Sequence, residues 1–143
     1  MKLVLDRMEK RAMERYSAFT GTKEETLRRL MKFLIPTSHE EVMEARVWIA
    51  FIGNSFSNPK LRELKQKMDL RSRELMLMVM KLMKELGYIS ENSNQDLEIE
   101  VLYAFIDGLV IHALQYPERY TDEKLDQLIE YYLKGRKENI TDG

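Results

Sequence analysis

The side chains that most often perform catalysis or bind metal ions are scarce in this sequence. It has no cysteine, so a cysteine nucleophile and a thiolate zinc site are excluded. Neither of its two histidines, His39 and His112, follows a glutamate by three positions, as a di-iron carboxylate site in a helical bundle requires. The six glycines are scattered singly and form no phosphate-binding loop. We therefore predict no catalytic residue, no metal ligand, no cofactor and no enzyme activity.

The remaining candidates for chemistry would bind a small molecule rather than transform one. Methionine adapts to irregular volumes, so a group of large apolar side chains forms either an ordinary core or the wall of a pocket for varied apolar ligands. His112 is either a buried histidine satisfied by one partner or by a helix–helix contact, or the polar anchor of such a pocket. Asp107 is either a solvated residue or a contact to the ligand. The large apolar residues are Trp48, Phe51, Met76, Met80 and Met83.

The composition indicates a single globular domain. Chains divide into domains beyond roughly 250 residues, and this chain has 143. Lysine and arginine number 23 against 24 aspartate and glutamate, and this net charge of −1 argues against a free-standing nucleic-acid binder. Apolar runs such as 75–80 are far shorter than the roughly 20 residues that span a membrane. The charged N-terminus is unlike a secretion signal, so we expect a cytoplasmic protein without membrane contact.

Few glycines and prolines, together with many strong helix formers, predict an all-α fold of about six helices. From Gly135 onward the chain is polar, so we expect it to fray, with a flexible tail over 138–143. Gly87 is a predicted C-terminal cap. The predicted N-caps are Thr22, Ser38, Asn58, Asn94 or Ser93, and Thr121, the first two in capping boxes. They divide the helices at about 2–17, 22–35, 38–56, 58–87, 94–115 and 121–134.

The predicted helix over 94–115 has apolar residues on two flanks. A single core needs only one, so we expect the other flank to meet a second chain. Asp96, Glu100 and Asp107 form its only solvated stripe, and Gly108 indicates a close backbone approach. One flank holds Leu97, Val101, Phe105, Gly108 and His112, and the other holds Leu102, Ile106, Leu109 and Ala113. The helix that follows carries a seam of Leu125, Leu128, Ile129 and Tyr132, a pattern that packs on another helix.

Three segments in order resemble one known family. They are EARVWIAF over 44–51, LMKELGYI over 82–89 and AFIDGL over 104–109. Together they closely resemble the C-terminal domain of TetR-type transcription regulators, in the betaine-regulator-like branch, across about 22–137. The resemblance implies an all-α domain whose last two helices form a four-helix bundle with a partner copy, around a cavity for a small effector.

The resemblance also implies a division of the chain. Residues 1–17 are similar to the connecting helix that follows the family's helix-turn-helix, 18–137 to the effector-binding and dimerisation domain. The helix-turn-helix itself is missing, so we expect no operator binding by this chain alone. Either the chain was cut, or it starts at an internal methionine, or it is naturally headless.

The first hypothesis is therefore a homodimeric domain that binds a small apolar or amphipathic effector. It places Leu102, Ile106, Leu109, Ala113, Leu125, Leu128, Ile129 and Tyr132 at the dimer face, although which flank of helix 94–115 meets the partner stays open. The cavity would be lined by Trp48, Phe51, Met76, Met80, Met83, Phe105 and His112. The alternative is a stand-alone helical module for protein–protein contact, with a filled core and no effector.

Overall fold

The computed structural model describes residues 20–33 and 35–142, together with seven positions between 3 and 14. For Arg71 and residues 138–142 it describes only the backbone. The described part contains no strand and five complete helices, which confirms the all-α prediction. They are α1 (Lys23–Phe33), α2 (His39–Ser55), α3 (Pro59–Glu85), α4 (Gln95–Gln115) and α5 (Asp122–Asp142).

The predicted connecting helix over 1–17 lies largely outside the described residues. Its described positions are all helical, and the bounds of that helix are not defined by them. These positions are Leu3, Asp6, Arg7, Lys10, Arg11, Met13 and Glu14.

Local capping side chains begin α1 and α2, as the sequence predicts. The Thr22 hydroxyl accepts a hydrogen bond from the Glu25 backbone N–H at 3.2 Å, and Ser38 accepts one from Glu41 at the same distance. Each bond satisfies one of the backbone donors that a helix N-terminus leaves free. The return bond of the second box differs from the prediction, because the Glu41 carboxylate accepts from the Thr37 N–H at 3.4 Å.

The caps of the later helices are also confirmed. Asn58 accepts two backbone N–H bonds at the start of α3, where Pro59 takes the first helical position. Asn94 caps α4 and Thr121 caps α5. Gly87 follows α3 with φ at +82°, a left-handed conformation that glycine adopts without steric cost.

The predicted end of the last helix near Lys134 is wrong. α5 continues through Gly135 to Asp142. Two contacts beyond Gly135 hold this extra length: Arg136 forms an ion pair with Glu98 of α4, and Lys137 lies over the Tyr88 ring at 4.9 Å. Tertiary contacts therefore outweigh the local cost of glycine in a helix. The flexibility of 138–143 stays a prediction.

The main core lies where the second half of α3 packs with α1, α4 and α5. Side chains with almost no exposed surface fill this region: Leu27, Met31, Val79, Met80, Met83, Leu102, Leu125, Ile129 and Leu133. A smaller cluster joins α2 to the first half of α3, where Phe51 and Met68 are buried beneath Trp48. α2 packs against both α3 and α4. Between this side of the bundle and the main core the packing is incomplete, and a cavity remains.

A charged network ties α1 to α5. Arg28 bonds Glu24 on its own helix and forms an ion pair with Glu130 of α5. The Tyr88 hydroxyl donates to Glu24 at 2.7 Å. Lys32 reaches Asp126 at 3.1 Å. The two helices run antiparallel, since the first turn of α1 lies beside the far part of α5.

Candidate functional site

A cavity of about 460 Å³ lies between α2, α3 and α4. This volume is within the range of roughly 300–1,000 Å³ typical of small-molecule sites. Its apolar wall consists of Phe33, Pro36, Ala45, Trp48, Ile49, Ile52, Gly53, Phe56, Leu75, Met76, Ile106, Val110 and Ile111. Its polar lining consists of Arg11, Glu41, Glu44, Lys65, Ser72, Tyr103 and Asp107. A mostly apolar wall with a few polar groups fits one small organic molecule.

Of the seven predicted cavity residues, the structure places two in the wall, Trp48 and Met76. Phe51 lies behind Trp48, with ring centroids 5.7 Å apart, and is buried in the small cluster. Met80 and Met83 are buried in the main core. The spacing along each helix predicts which residues share a face, but it does not reveal which of them have empty space beside them.

Phe105 and His112 also lie away from the cavity. Phe105 stacks on Tyr132 of α5, with centroids 4.5 Å apart. His112 is exposed, and its Nδ1 is 3.1 Å from the Tyr120 hydroxyl. His112 therefore has one hydrogen-bond partner, but it is not buried within the chain and does not line the cavity.

The polar stripe predicted on α4 does not face open solvent along its whole length. Asp96 is exposed, but Glu100 bonds Arg73 of α3 at 2.5 Å, and Asp107 lines the cavity. Tyr103 stands one turn before Asp107 and lines the same wall. Tyr103 is a site residue that was not predicted from the sequence, although its spacing of four from Asp107 places both on one helix face.

Burial shapes the electrostatics of this wall. It raises the pKa of Asp107 to about 6, an effect that the Lys65 charge opposes and the Asp69 charge supports. Asp107 keeps exposed surface while it lines the cavity, so its carboxylate is only partly dehydrated. Burial also raises the pKa of Tyr103 to about 12, against a hydrogen bond with Ser72. Both groups therefore favour their neutral forms more than they would in water.

An ion pair also lines the cavity. Two parallel hydrogen bonds of 3.0 and 2.9 Å join the Arg11 guanidinium to the Glu44 carboxylate. Such bidentate pairs are the strongest common form of charged hydrogen bond. The bond to Glu44 raises the pKa of Arg11, against the effect of burial. Because Glu44 is buried, the pair also fixes Arg11 of the N-terminal segment against α2.

The predicted dimer face needs correction. Leu102, Ile106, Leu109, Ala113, Leu125 and Ile129 keep at most 8% of their surface exposed, because they form the core of this single chain. They offer almost nothing to a partner. Only Leu128 and Tyr132 of the predicted set are half-buried.

The other flank of α4 is the uncovered one. We call Leu97, Val101, Phe105, Gly108 and His112 the outer flank. Leu97 is 63% and Val101 51% exposed, and Phe105 is half-buried. No described atom of the chain would contact a Cβ added to Gly108, so the predicted close approach does not occur within the chain.

The described residues contain neither a metal-binding cluster nor a membrane-spanning helix. Among them, no group of three or more histidine and carboxylate side chains is arranged to hold a metal ion. In the same residues, no helix has the length and apolar character needed to cross a bilayer.

Comparison with known proteins gives two matches. The C-terminal domain of BetI-type transcriptional repressors matches residues 23–136. The HTH-type transcriptional regulator PksA of Bacillus subtilis (strain 168) is 28% identical over 132 residues. That alignment covers 90% of this chain but 61% of the relative, so the chain spans less than two thirds of that protein. The matched domain extends from α1 into α5 and contains α2, α3 and α4, between which the cavity lies, and the chain belongs to the TetR family of transcription regulators.

Proposed function

We propose that this chain is the effector-binding and dimerisation domain of a TetR-like transcription regulator, with no catalysis of its own. The observation that carries the proposal is the hollow of about 460 Å³ in a domain of this family. A helical bundle without a ligand gains stability when side chains fill its interior. A cavity that stays open and has polar groups in its wall therefore fits a small apolar or amphipathic ligand. The same hollow counts against the alternative of a filled core.

Thermal unfolding against a broad panel of apolar and amphipathic metabolites tests the effector. A ligand that binds only the folded chain raises the unfolding midpoint by mass action. The variant Val110→Phe places a larger ring in the cavity wall and should remove the response. Leu70→Phe, on the exposed surface of α3, is the matched control and should keep it. If no compound of the panel raises the unfolding midpoint of the wild type or of the control, the proposal is contradicted.

We propose that dimerisation uses the outer flank of α4. Exposed apolar residues on one helix face indicate a partner when they are contiguous. Tyr132 of α5 borders this flank through its stacking on Phe105, so the last two helices would both contribute. A stable regulator dimer should bury more than about 1,000 Å² in total.

Analytical ultracentrifugation tests this interface. Val101→Glu places a charge in the flank that the proposed dimer would bury and should convert the dimer to monomer, because a buried unpaired charge costs several kcal/mol. Val47→Glu is a matched control, since Val47 has nearly the same exposure, 48%, on α2. An unchanged dimer for Val101→Glu, or a wild type that stays monomeric at high concentration, would refute the assignment.

We also propose that residues 1–143 alone do not bind operator DNA. Their net charge of −1 supplies no basic surface for phosphates, and the helix-turn-helix expected in this family is not among the segments they resemble. A gel-shift experiment at moderate salt should show free DNA throughout. A retarded band would overturn this proposal without affecting the effector cavity.

A further inference from the structure

The carboxylate of Asp107 makes this cavity different from a uniformly apolar one. Among the residues that the structure describes, none forms a hydrogen bond or ion pair with it. Two charged residues of α3 act on it through space, Lys65 and Asp69. These bind each other, with Lys65 Nζ 2.9 Å from Asp69 Oδ2. The cation on this wall is therefore already neutralised by another carboxylate.

The second cation of the lining is also bound to a carboxylate. The guanidinium of Arg11 is bound by the carboxylate of Glu44 in the bidentate pair described above. Glu41 accepts a bond from a backbone N–H. The lining thus holds two cations, each bound to a carboxylate, and three carboxylates, so it carries a net negative charge to which Asp107 contributes.

We propose that the cavity binds an amphipathic organic cation, an ammonium whose head pairs with Asp107 and whose apolar body lies along Trp48 and Ile52. This inference rests on the proposed function, because it names the effector's chemical class at the same cavity. A partly dehydrated carboxylate is poorly solvated until a cation joins it, so a cationic guest gains a pairing that a neutral guest does not. The rings of Trp48 and Phe56 in the same lining can attract the cation as well.

Three probes of equal length separate charge from apolar contact: n-octylammonium, 1-octanol and octanoate. Isothermal titration calorimetry with the full chain at pH 7.5 should give n-octylammonium a Kd at least about tenfold below that of 1-octanol, with octanoate weakest. Asp107→Asn should abolish the preference and leave 1-octanol unchanged. Asp96→Asn removes an exposed carboxylate of the same helix and should keep the preference.

The opposite change gives a second, independent variant. Lys65→Gln removes the cation that competes for this wall and frees Asp69. It should therefore bind n-octylammonium more tightly than the wild type, by about two- to fivefold. An affinity equal to or weaker than that of the wild type would count against the pairing.

The pH dependence of binding provides a readout that packing does not affect. n-Octylammonium keeps its charge between pH 5 and 7.5, so a change in its affinity reports on the protein. Burial raises the pKa of Asp107 to about 6, and the charges of Lys65 and Asp69 modify that value. The other charged residues of the cavity lining are Arg11, Glu41 and Glu44. Affinity should fall about tenfold from pH 7.5 to pH 5 as Asp107 takes up a proton. Asp107→Asn should show no such fall.

Several outcomes would overturn the cation inference. They are equal binding of n-octylammonium and 1-octanol, a preference that survives Asp107→Asn, and no binding by any probe. Equal binding would leave the proposed effector cavity intact, because it shows a ligand site without charge selectivity. The absence of all probe binding leaves the broader thermal panel as the separate test of the proposed function.

Discussion

Two successive stretches of α3 differ in how completely the side chains around them are packed. Toward its end, Met80 and Met83 are enclosed by α1, α4 and α5 and leave no space. Earlier in the helix, Ser72 and Leu75 face α2 across an open cavity. Met76 belongs to both regions, because it is buried in the core and also lines the hollow. One continuous helix therefore contributes side chains both to the filled core and to the wall of the cavity.

This contrast shows what methionine does in this protein. Its flexible side chain can fill an irregular core as well as line an adaptable pocket. Here it mainly fills the core, while the cavity wall uses aromatic and branched residues with a few polar groups between them. Rigid rings such as Trp48 and Phe33 keep a hollow open better than chains that can collapse into it.

The largest expected difference between the two regions is in the cost of truncation. Met83→Ala should lower the free energy of unfolding by about 2–5 kcal/mol, because it creates a new void in a filled core. Ile49→Ala, in the cavity wall, should cost less than about 1.5 kcal/mol, because the space beside it is already open. Urea unfolding at one fixed protein concentration measures both. Equal costs would show that the cavity wall is packed like the core.

A control variant checks that the loss reflects burial. Leu70→Ala, on the exposed surface of α3, should change the free energy of unfolding by no more than about 0.5 kcal/mol.

A medium effect is expected at the ion pair of the hollow region. Glu44→Gln keeps the shape of the side chain but removes the charge that binds Arg11, so unfolding should become easier by about 1–3 kcal/mol. Glu40→Gln is the matched control, since Glu40 is largely exposed and its 3.5 Å contact with Arg11 is screened by water. Chemical unfolding of both variants measures the loss in the free energy of unfolding. Similar losses would mean that the bidentate pair contributes no more stability than the exposed contact of Glu40.

The smallest effect is a pH-dependent one at Asp107. Its pKa in the fold, about 6, lies above its ordinary value of 3.8, so the ionised carboxylate disfavours the folded state. This penalty is absent below about pH 3.8, grows as pH rises toward 6 and is complete above it. Asp107→Asn should therefore stabilise the chain at pH 7.5, by about 1 kcal/mol or less because solvent screens the exposed group. Thermal unfolding across pH 4 to 8 measures it, and a gain that persists at pH 4 would contradict this origin.

The sequence predicts the helices well because their starts are specified locally. Thr22, Ser38, Asn58, Asn94 and Thr121 each bond a backbone N–H two or three residues away, so no distant contact is needed to place them. The end of α5 is different. Nothing local to Gly135 indicates that Arg136 will find Glu98, which lies 38 positions earlier.

The cavity and the exposed flank could not be predicted in the same way. Periodicity shows that α4 has apolar residues on two flanks, but only the packing of α4 against the rest of the bundle decides that Leu102 is buried and Val101 is not. Similarly, spacing places Trp48 and Phe51 on neighbouring faces of α2 without showing which one has empty space beside it. The four-residue spacing of Tyr103 and Asp107 was a usable signal, because two polar groups on one face of an otherwise apolar helix need a polar surrounding.

The antiparallel contact between α1 and α5 has a practical consequence for attaching reporters. Glu24, in the first turn of α1, bonds Tyr88, and Lys137 near the far end of α5 covers the ring of that same tyrosine. Two fluorophores, one placed just ahead of Lys23 and the other at Lys137, would therefore sit at one end of the molecule. Separation of the first helix from the last would then appear as a loss of energy transfer between them.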